Sequence, residues 1–115
     1  DNTMTSLYYD MQGRPISLEE LVTSFSSKDR IICQTEGRLF FISTVWLGLD
    51  HNFAVHGPPL IFETMVFGQR DWKDLDMRRY STLAEAKGGH LDMVYKWTGW
   101  RGLLRWIRIK LAWRN

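Results

Sequence analysis

The sequence is poor in cysteine and lacks any long hydrophobic run. Among its 115 residues Cys33 is the single cysteine, so the chain can form neither an internal disulfide nor a cysteine-based zinc motif. No apolar run approaches the roughly 18 residues that a membrane-spanning helix needs. The first residues show no basic stretch followed by an apolar one, so we expect no secretory signal. These features favour a protein of the reducing cytoplasm without a membrane span.

The chain is rich instead in apolar and aromatic side chains. Hydrophobic residues make up 44% of it, aromatic residues make up 14%, and six residues are tryptophan. This composition excludes disorder, which requires low hydrophobicity and high net charge. Each buried tryptophan can remove about 150–250 Å² from water, so a chain of this length can form one domain with a single core.

Charge is spread unevenly along the chain. The net charge is only +2, too small to predict that the whole protein binds nucleic acid. Residues 96–115, however, contain six lysines or arginines and no acidic residue. Basic residues interleaved with tryptophan are typical of contact with a nucleic acid, a membrane surface or an acidic protein.

Two capping boxes predict helices. Ser17 and Thr82 are each followed by a glutamate three residues later, the pattern in which side chain and backbone cap each other at a helix N-terminus. Apolar residues recur at helical spacing after both positions. We therefore predict helices over 18–26 and 82–97.

The apolar runs between these helices predict an antiparallel sheet. Residues 31–36 and 39–49 have the pattern of a hairpin, and 39–49 is apolar on both sides, as expected for a central strand covered on both faces. Residues 60–67 predict a strand that pairs antiparallel with the end of 39–49, because the loop between them is too short for a crossover helix. The acidic residues 69–76 predict a surface loop, and 77–81 a short edge strand.

Together these patterns predict an α+β fold, with an antiparallel sheet of three to five strands on which the two helices pack. The domain should span 4–98, and residues 99–115, here called the C-terminal segment, should dock on it. A helix is the main interpretation of this segment and a strand is the alternative. As a helix, its docking face would consist of Trp100, Leu104, Ile107 and Leu111. Its binding residues would be Trp100, Arg101, Arg105, Trp106, Arg108 and Trp113.

Part of the sequence is similar to a known group of proteins. The runs STVWLGLDHNF, GPPLIFETMVF and RYSTLAEAKGGH resemble small proteins encoded by tailed phages and prophages, best known from phages of actinobacteria. The run YYDMQGRPISLEEL is similar to the N-terminus of that group, and the resemblance covers residues 7–95. It implies a phage or prophage origin and a place in the host cytoplasm. It implies no activity and no catalytic residue.

One candidate site follows directly on the long predicted strand. Asp50, His51 and Asn52 lie where a rigid scaffold often presents functional loop residues, and strand pairing would bring Glu63 close to them. One histidine and two carboxylates can bind a divalent metal or carry out acid–base catalysis. The alternative interpretation is a turn, because Asp and Asn side chains bond to their own backbone in turns. We expect no bound metal and no cofactor.

His90 is the second candidate. It falls in the middle of the apolar stripe of the 82–97 helix, directly after Gly88 and Gly89, which would let another backbone come close. We therefore expect it to be buried against the sheet. It is interpreted either as a neutral core histidine bonded to a backbone carbonyl or as a base or metal ligand.

Three functions are compatible with these patterns. The leading hypothesis is a non-enzymatic phage accessory protein that binds a host or phage macromolecule, with a protein as the expected partner, and counteracting a host defence is one such role. The first alternative is nucleic-acid binding through 96–115, and self-association through the C-terminal segment is a further interpretation. The second alternative is a small metal-dependent enzyme. Clustering of Asp50, His51, Glu63 and His90 would favour the enzyme, and scattered positions would favour a binding protein.

Overall fold

The computed structural model describes residues 7–25, 28–54 and 56–98. In chain order the described elements are α1 (Leu18–Phe25), a short 3-10 helix (Lys28–Arg30), β1 (Ile31–Glu36), β2 (Phe40–Trp46), β3 (Phe62–Gly68), β4 (Asp74–Tyr80) and α2 (Leu83–Trp97). The predictions made for the C-terminal segment, including its binding residues, lie outside the described residues.

The four strands form one antiparallel sheet in the order β1-β2-β3-β4. The predicted α+β class and the antiparallel pairing of the two central strands are confirmed. Buried and half-buried residues alternate strictly along β2 and β3, because successive side chains of a strand point to opposite faces of the sheet. One face is therefore deeply buried and the other is only half-buried.

Several predicted strand boundaries were wrong. β2 ends at Trp46 and β3 begins at Phe62, so both central strands are shorter at this end of the sheet than predicted. β4 begins at Asp74, inside the predicted loop over 69–76. The reason is that acidic Asp76 serves a tertiary contact and not a solvated loop: its Oδ2 accepts hydrogen bonds from Lys96 Nζ at 2.7 Å and Trp97 Nε1 at 2.8 Å.

Helix α2 covers the buried face of the sheet. The predicted capping box is present: Thr82 Oγ1 accepts from the backbone N–H of Glu85, and the Glu85 carboxylate accepts from the backbone N–H of Thr82. Two apolar clusters lie beneath the helix. The cluster under its N-terminal half consists of Tyr9, Trp46, Ile61, Phe62, Tyr80 and Ala86. The cluster under its C-terminal half consists of Phe40, Ile42, Val66, Met93 and Trp97.

Helix α1 packs more lightly than its apolar stripe predicts. Its capping box is present, with Glu20 N–H donating to Ser17 Oγ at 3.1 Å. Leu21 packs against the cluster that contains Trp46, but Leu18 is 53% exposed and Val22 is 62% exposed. Leu21 therefore contacts the core while two other apolar residues of the stripe face solvent.

Candidate functional site

Asp50 holds a turn. Its Oδ1 accepts a hydrogen bond from the Asn52 backbone N–H at 2.7 Å and another from the Leu60 backbone N–H at 2.9 Å. The first is the local bond typical of an Asp turn, and the second ties the two ends of the loop together. The carboxylate thus closes the connection between β2 and β3, as the turn interpretation predicts.

His51 is tied to the same backbone. Its Nδ1 lies 2.8 Å from the Leu49 carbonyl oxygen, which can only accept, so Nδ1 carries the proton and donates it. The ring also packs at a tilt against Phe53, with 6.0 Å between the centroids. This bond fixes the tautomer and leaves Nε2 as the acceptor nitrogen of the ring.

Glu63 forms an ion pair on the half-buried face of the sheet. Its Oε2 lies 3.0 Å from Nε of Arg79, directly opposite it on β4, and the two side chains are 16% and 29% exposed. Pairing with an arginine is a common structural role for a carboxylate in an apolar run, because a buried charge needs a partner. Strand alternation places Glu63 on the face opposite that of its neighbour Thr64.

His90 lies on the other face, inside a network of side-chain hydroxyl groups. The residue is 3% exposed, so the predicted burial against the sheet is confirmed. Its Nε2 lies 2.8 Å from Thr35 Oγ1 and its Nδ1 lies 2.7 Å from Thr44 Oγ1. The backbone carbonyl expected as a partner for one ring nitrogen is thus replaced by two threonine hydroxyls.

The network continues across the sheet to β4. Thr44 Oγ1 is hydrogen-bonded to Thr64 Oγ1, and the Tyr80 hydroxyl donates to Thr64 Oγ1 at 3.0 Å. If Thr64 then donates to Thr44, and Thr44 to His90 Nδ1, the hydroxyls of Tyr80, Thr64 and Thr44 each donate one hydrogen bond. The imidazole is then neutral, and its Nε2 proton is donated to Thr35 Oγ1. This polar layer separates the two apolar clusters beneath α2.

Burial lowers the pKa of His90 below its ordinary value of 6.5, because a buried imidazolium loses its hydration. A proton on Nδ1 would also remove the acceptor of the Thr44 hydroxyl. In the unfolded chain the imidazole takes up its proton near pH 6.5, and in the folded protein it does so at a lower pH. The unfolded state therefore binds more protons in the interval between them, so stability is full above about pH 6.5 and falls as the pH drops below it.

We expect this loss of stability to disappear in His90→Gln. The free energy of unfolding, measured by urea denaturation from pH 7.5 to pH 5, should fall in the wild type with a slope of at most about 1.4 kcal/mol per pH unit for this one proton. The matched control is His56→Gln, which removes an exposed imidazole and should keep the wild-type slope. A slope that is unchanged in His90→Gln would show that another group causes the pH dependence.

The four candidate residues are thus not brought together. Asp50 and His51 lie in the loop after β2, Glu63 lies on the half-buried face, and His90 lies on the buried face. Within residues 7–25, 28–54 and 56–98, no group of three or more His, Cys, Asp or Glu side chains is arranged to hold a metal ion. In the same part of the chain, no helix has the length and apolarity needed to cross a membrane.

The residues of the hydroxyl network were not predicted from the sequence. Thr44 and Thr64 are fully buried, yet each stands in an apolar run where β-branched residues are expected anyway. Their positions could have indicated burial, because both lie on the same face of their strand as the most buried apolar residues of β2 and β3. Polar residues at such positions need hydrogen-bond partners.

The face of the sheet opposite α2 is a second feature that the sequence left unassigned; we call it the open face. Its strand residues form three rows across the sheet: Glu36–Phe41–Phe67–Asp74, Gln34–Ser43–Met65–Met77 and Ile31–Val45–Glu63–Arg79. Apolar side chains occupy the middle of the face, and charged side chains stand mainly at its edges. Met77 is 42% exposed and Ile31 is 40% exposed.

An aromatic group closes one end of the open face. Phe41 and Phe67 stack with 6.4 Å between their centroids, and Trp72 lies against both at 5.7 and 6.1 Å. Trp72 has a positive φ of 55°, an uncommon backbone conformation for a residue with a side chain, and it is 57% exposed. The turn between β3 and β4 thus presents a tryptophan against the open face.

Comparisons with protein-family models, with curated protein sequences and with solved structures each found no match. The resemblance to phage and prophage proteins stays a prediction from the sequence.

Proposed function

We propose that the protein is a non-enzymatic accessory protein of a phage or prophage that binds an acidic surface of a host or phage protein through its C-terminal segment. The observation that carries the proposal is the separation of charge along the chain. Residues 99–115 contain five basic and no acidic residues, whereas residues 1–98 contain ten basic and thirteen acidic ones, a net charge of −3. The basic segment is therefore the part of the chain suited to an acidic partner.

The contacts of the catalytic candidates support a binding protein over an enzyme. Asp50 accepts two backbone hydrogen bonds, Glu63 is paired with Arg79, and both nitrogens of His90 are bonded to threonines. Each group therefore has a structural role in a different place. A reaction centre would need several such groups within reach of one substrate atom.

We expect a variant with Arg101, Arg105 and Arg108 all replaced by alanine to lose its partner. A surface ion pair contributes about 0.2–1 kcal/mol, so the loss of three should weaken binding by about 0.6–3 kcal/mol, roughly three-fold to 150-fold. The experiment is affinity capture from a bacterial host lysate, followed by titration of the captured protein against both chains. Binding should also weaken as salt is raised.

The matched control removes three basic side chains from the described domain. Arg38, Arg70 and Lys87 are all exposed, and their replacement by alanine changes the net charge by the same amount, so this variant should keep its partner. Equal loss in both variants would contradict a specific role for the segment. If nuclease treatment abolishes capture and the chain binds a DNA or RNA fragment directly, the nucleic-acid alternative replaces the proposal.

A further inference from the structure

The open face has the composition of a surface that is covered in the folded protein. Phe41, Val45, Met65 and Phe67 are half-buried on it, although the described elements pack a helix only on the opposite face. Apart from Ser43 and Thr44, β2 is apolar on both sides, which is typical of strands that are covered on both faces. Monomeric soluble proteins rarely expose large contiguous apolar patches, so this face needs an occupant.

We infer that the occupant is the C-terminal segment, 99–115, of the same chain. α2 delivers the chain to the correct end of the sheet: Thr98 Cγ2 would lie 4.0 Å from a Cβ added at Gly37, in the turn between β1 and β2. Gly37 directly follows Glu36, which begins the row that contains Phe41 and Phe67. The segment therefore starts beside the aromatic end of the open face.

The length of the segment fits this path. Thr98 already lies at the edge of the sheet beside Gly37. A layer packed on the open face would lie about 10 Å from the sheet, a distance that three or four extended residues can cross. The residues Gly99–Gly102 suit that crossing, since two of the four are glycines. The twelve residues that follow before Asn115 would span about 18 Å as a helix and about 40 Å as a strand. Seven-residue strands such as β2 and β3 are about 23 Å long, so either conformation can cover the face.

Charge favours the same arrangement. The aromatic pair of Phe41 and Phe67 is flanked across the sheet by Glu36 on one side and Asp74 on the other, and both acidic residues are exposed. Arginines beside the apolar strip of the segment can approach these carboxylates while its tryptophans pack on the aromatic pair. The remaining arginines would face outward.

A rival apolar surface lies in the wrong place. Leu18 and Val22 of α1 are also exposed, but α1 contacts the cluster that contains Trp46. Trp46 ends β2, whereas Phe40, which contacts Trp97, begins it, with ring centroids 5.2 Å apart. The segment leaves the domain at the Phe40 end, a full strand length from α1.

Photocrosslinking of the full chain tests the inference without any partner. A benzophenone amino acid is placed at Met65, in the centre of the open face, and in a second protein at Val22 of α1. Irradiation should join position 65 to a peptide from 99–115, which mass spectrometry detects. The probe at position 22 should give no such adduct. Adducts of the segment with position 22 and not with position 65 would overturn the assignment.

Isotope mixing and a reciprocal probe complete the crosslinking experiment. An equal mixture of ¹⁵N-labelled and unlabelled chains distinguishes copies: adducts within one chain are all light or all heavy, and mixed masses would show that a second copy covers the face, against the inference. If the probe at position 65 prevents folding, the reciprocal probe at Ile107 should crosslink to residues 62–68. Failure of that crosslink would also reject the inference, whatever the fate of the proposed partner binding.

Discussion

Replacing His90 by Asp is expected to destabilise the protein by about 3 kcal/mol or more, because it leaves a carboxylate buried without a cation to pair with. The shorter side chain cannot reach both threonine hydroxyls, so Thr35 or Thr44 would lose its partner as well. The nearest basic side chain of β4 facing α2 belongs to Arg78, which is half exposed and pairs with Asp92 at 3.6 Å. Thermal and urea unfolding of the variant measure the loss.

The control for this prediction is His90→Gln. The neutral amide keeps one acceptor and one donor for the two threonines, so its cost should be closer to the value of about 1 kcal/mol for one imperfect hydrogen bond. A midpoint of unfolding that is unchanged in His90→Asp would contradict the buried network. Equal losses in both variants would show that ring packing, and not charge, determines the stability of this layer.

The burial of His90 was predictable because helix periodicity is local. One turn of helix relates it to the apolar positions on either side, and no distant information is needed. The other members of its network were not predictable in the same way, since its partners Thr35 and Thr44, and Thr64 beyond them, come from three strands whose relative register depends on the whole sheet. The sequence therefore predicted which polar residue is buried but not its hydrogen-bond partners.

Strand alternation explains why Glu63 and His90 lie on opposite sides of the sheet. Thr64 faces α2, so its neighbour Glu63 faces the opposite side of the sheet. His90, on α2, therefore has the sheet between itself and Glu63. The sequence shows which residues of a strand share a face, because they alternate. It does not show which of the two faces α2 covers.

In the loop after β2, by contrast, residue type alone indicates the local contacts of Asp50. Asp50 makes the bonds that its residue type predicts in a turn, because those bonds are to nearby backbone. Its second bond, to Leu60, spans the loop and depended on β3 pairing with β2. Local chemistry was thus a sound guide to the role of Asp50, and pairing only added a second acceptor contact.

The adjacent glycines of α2 should respond to alanine with opposite signs. At Gly88 an added Cβ meets no atom within 4 Å, so Gly88→Ala should stabilise the protein by about 0.5–1 kcal/mol through the better helix propensity of alanine. At Gly89 the added Cβ would overlap the ring and hydroxyl of Tyr80. Tyr80 is 6% exposed and donates to Thr64, so it cannot move aside without disturbing the core.

Gly89→Ala should therefore cost about 1–3 kcal/mol, the usual cost of overpacking a well-packed site. Displacing Tyr80 would also break its hydrogen bond to Thr64 and expose the end of the network that holds His90. Paired melting curves give the test, since about 1 kcal/mol corresponds to a shift of roughly 4 °C in a domain of this size. Stabilisation by alanine at both positions would mean that Tyr80 does not pack against the backbone of α2. Adding Tyr80→Phe to Gly89→Ala removes the overlapping hydroxyl. If this restores stability, the cost arises at the tyrosine hydroxyl, and if the loss persists, it arises at the ring.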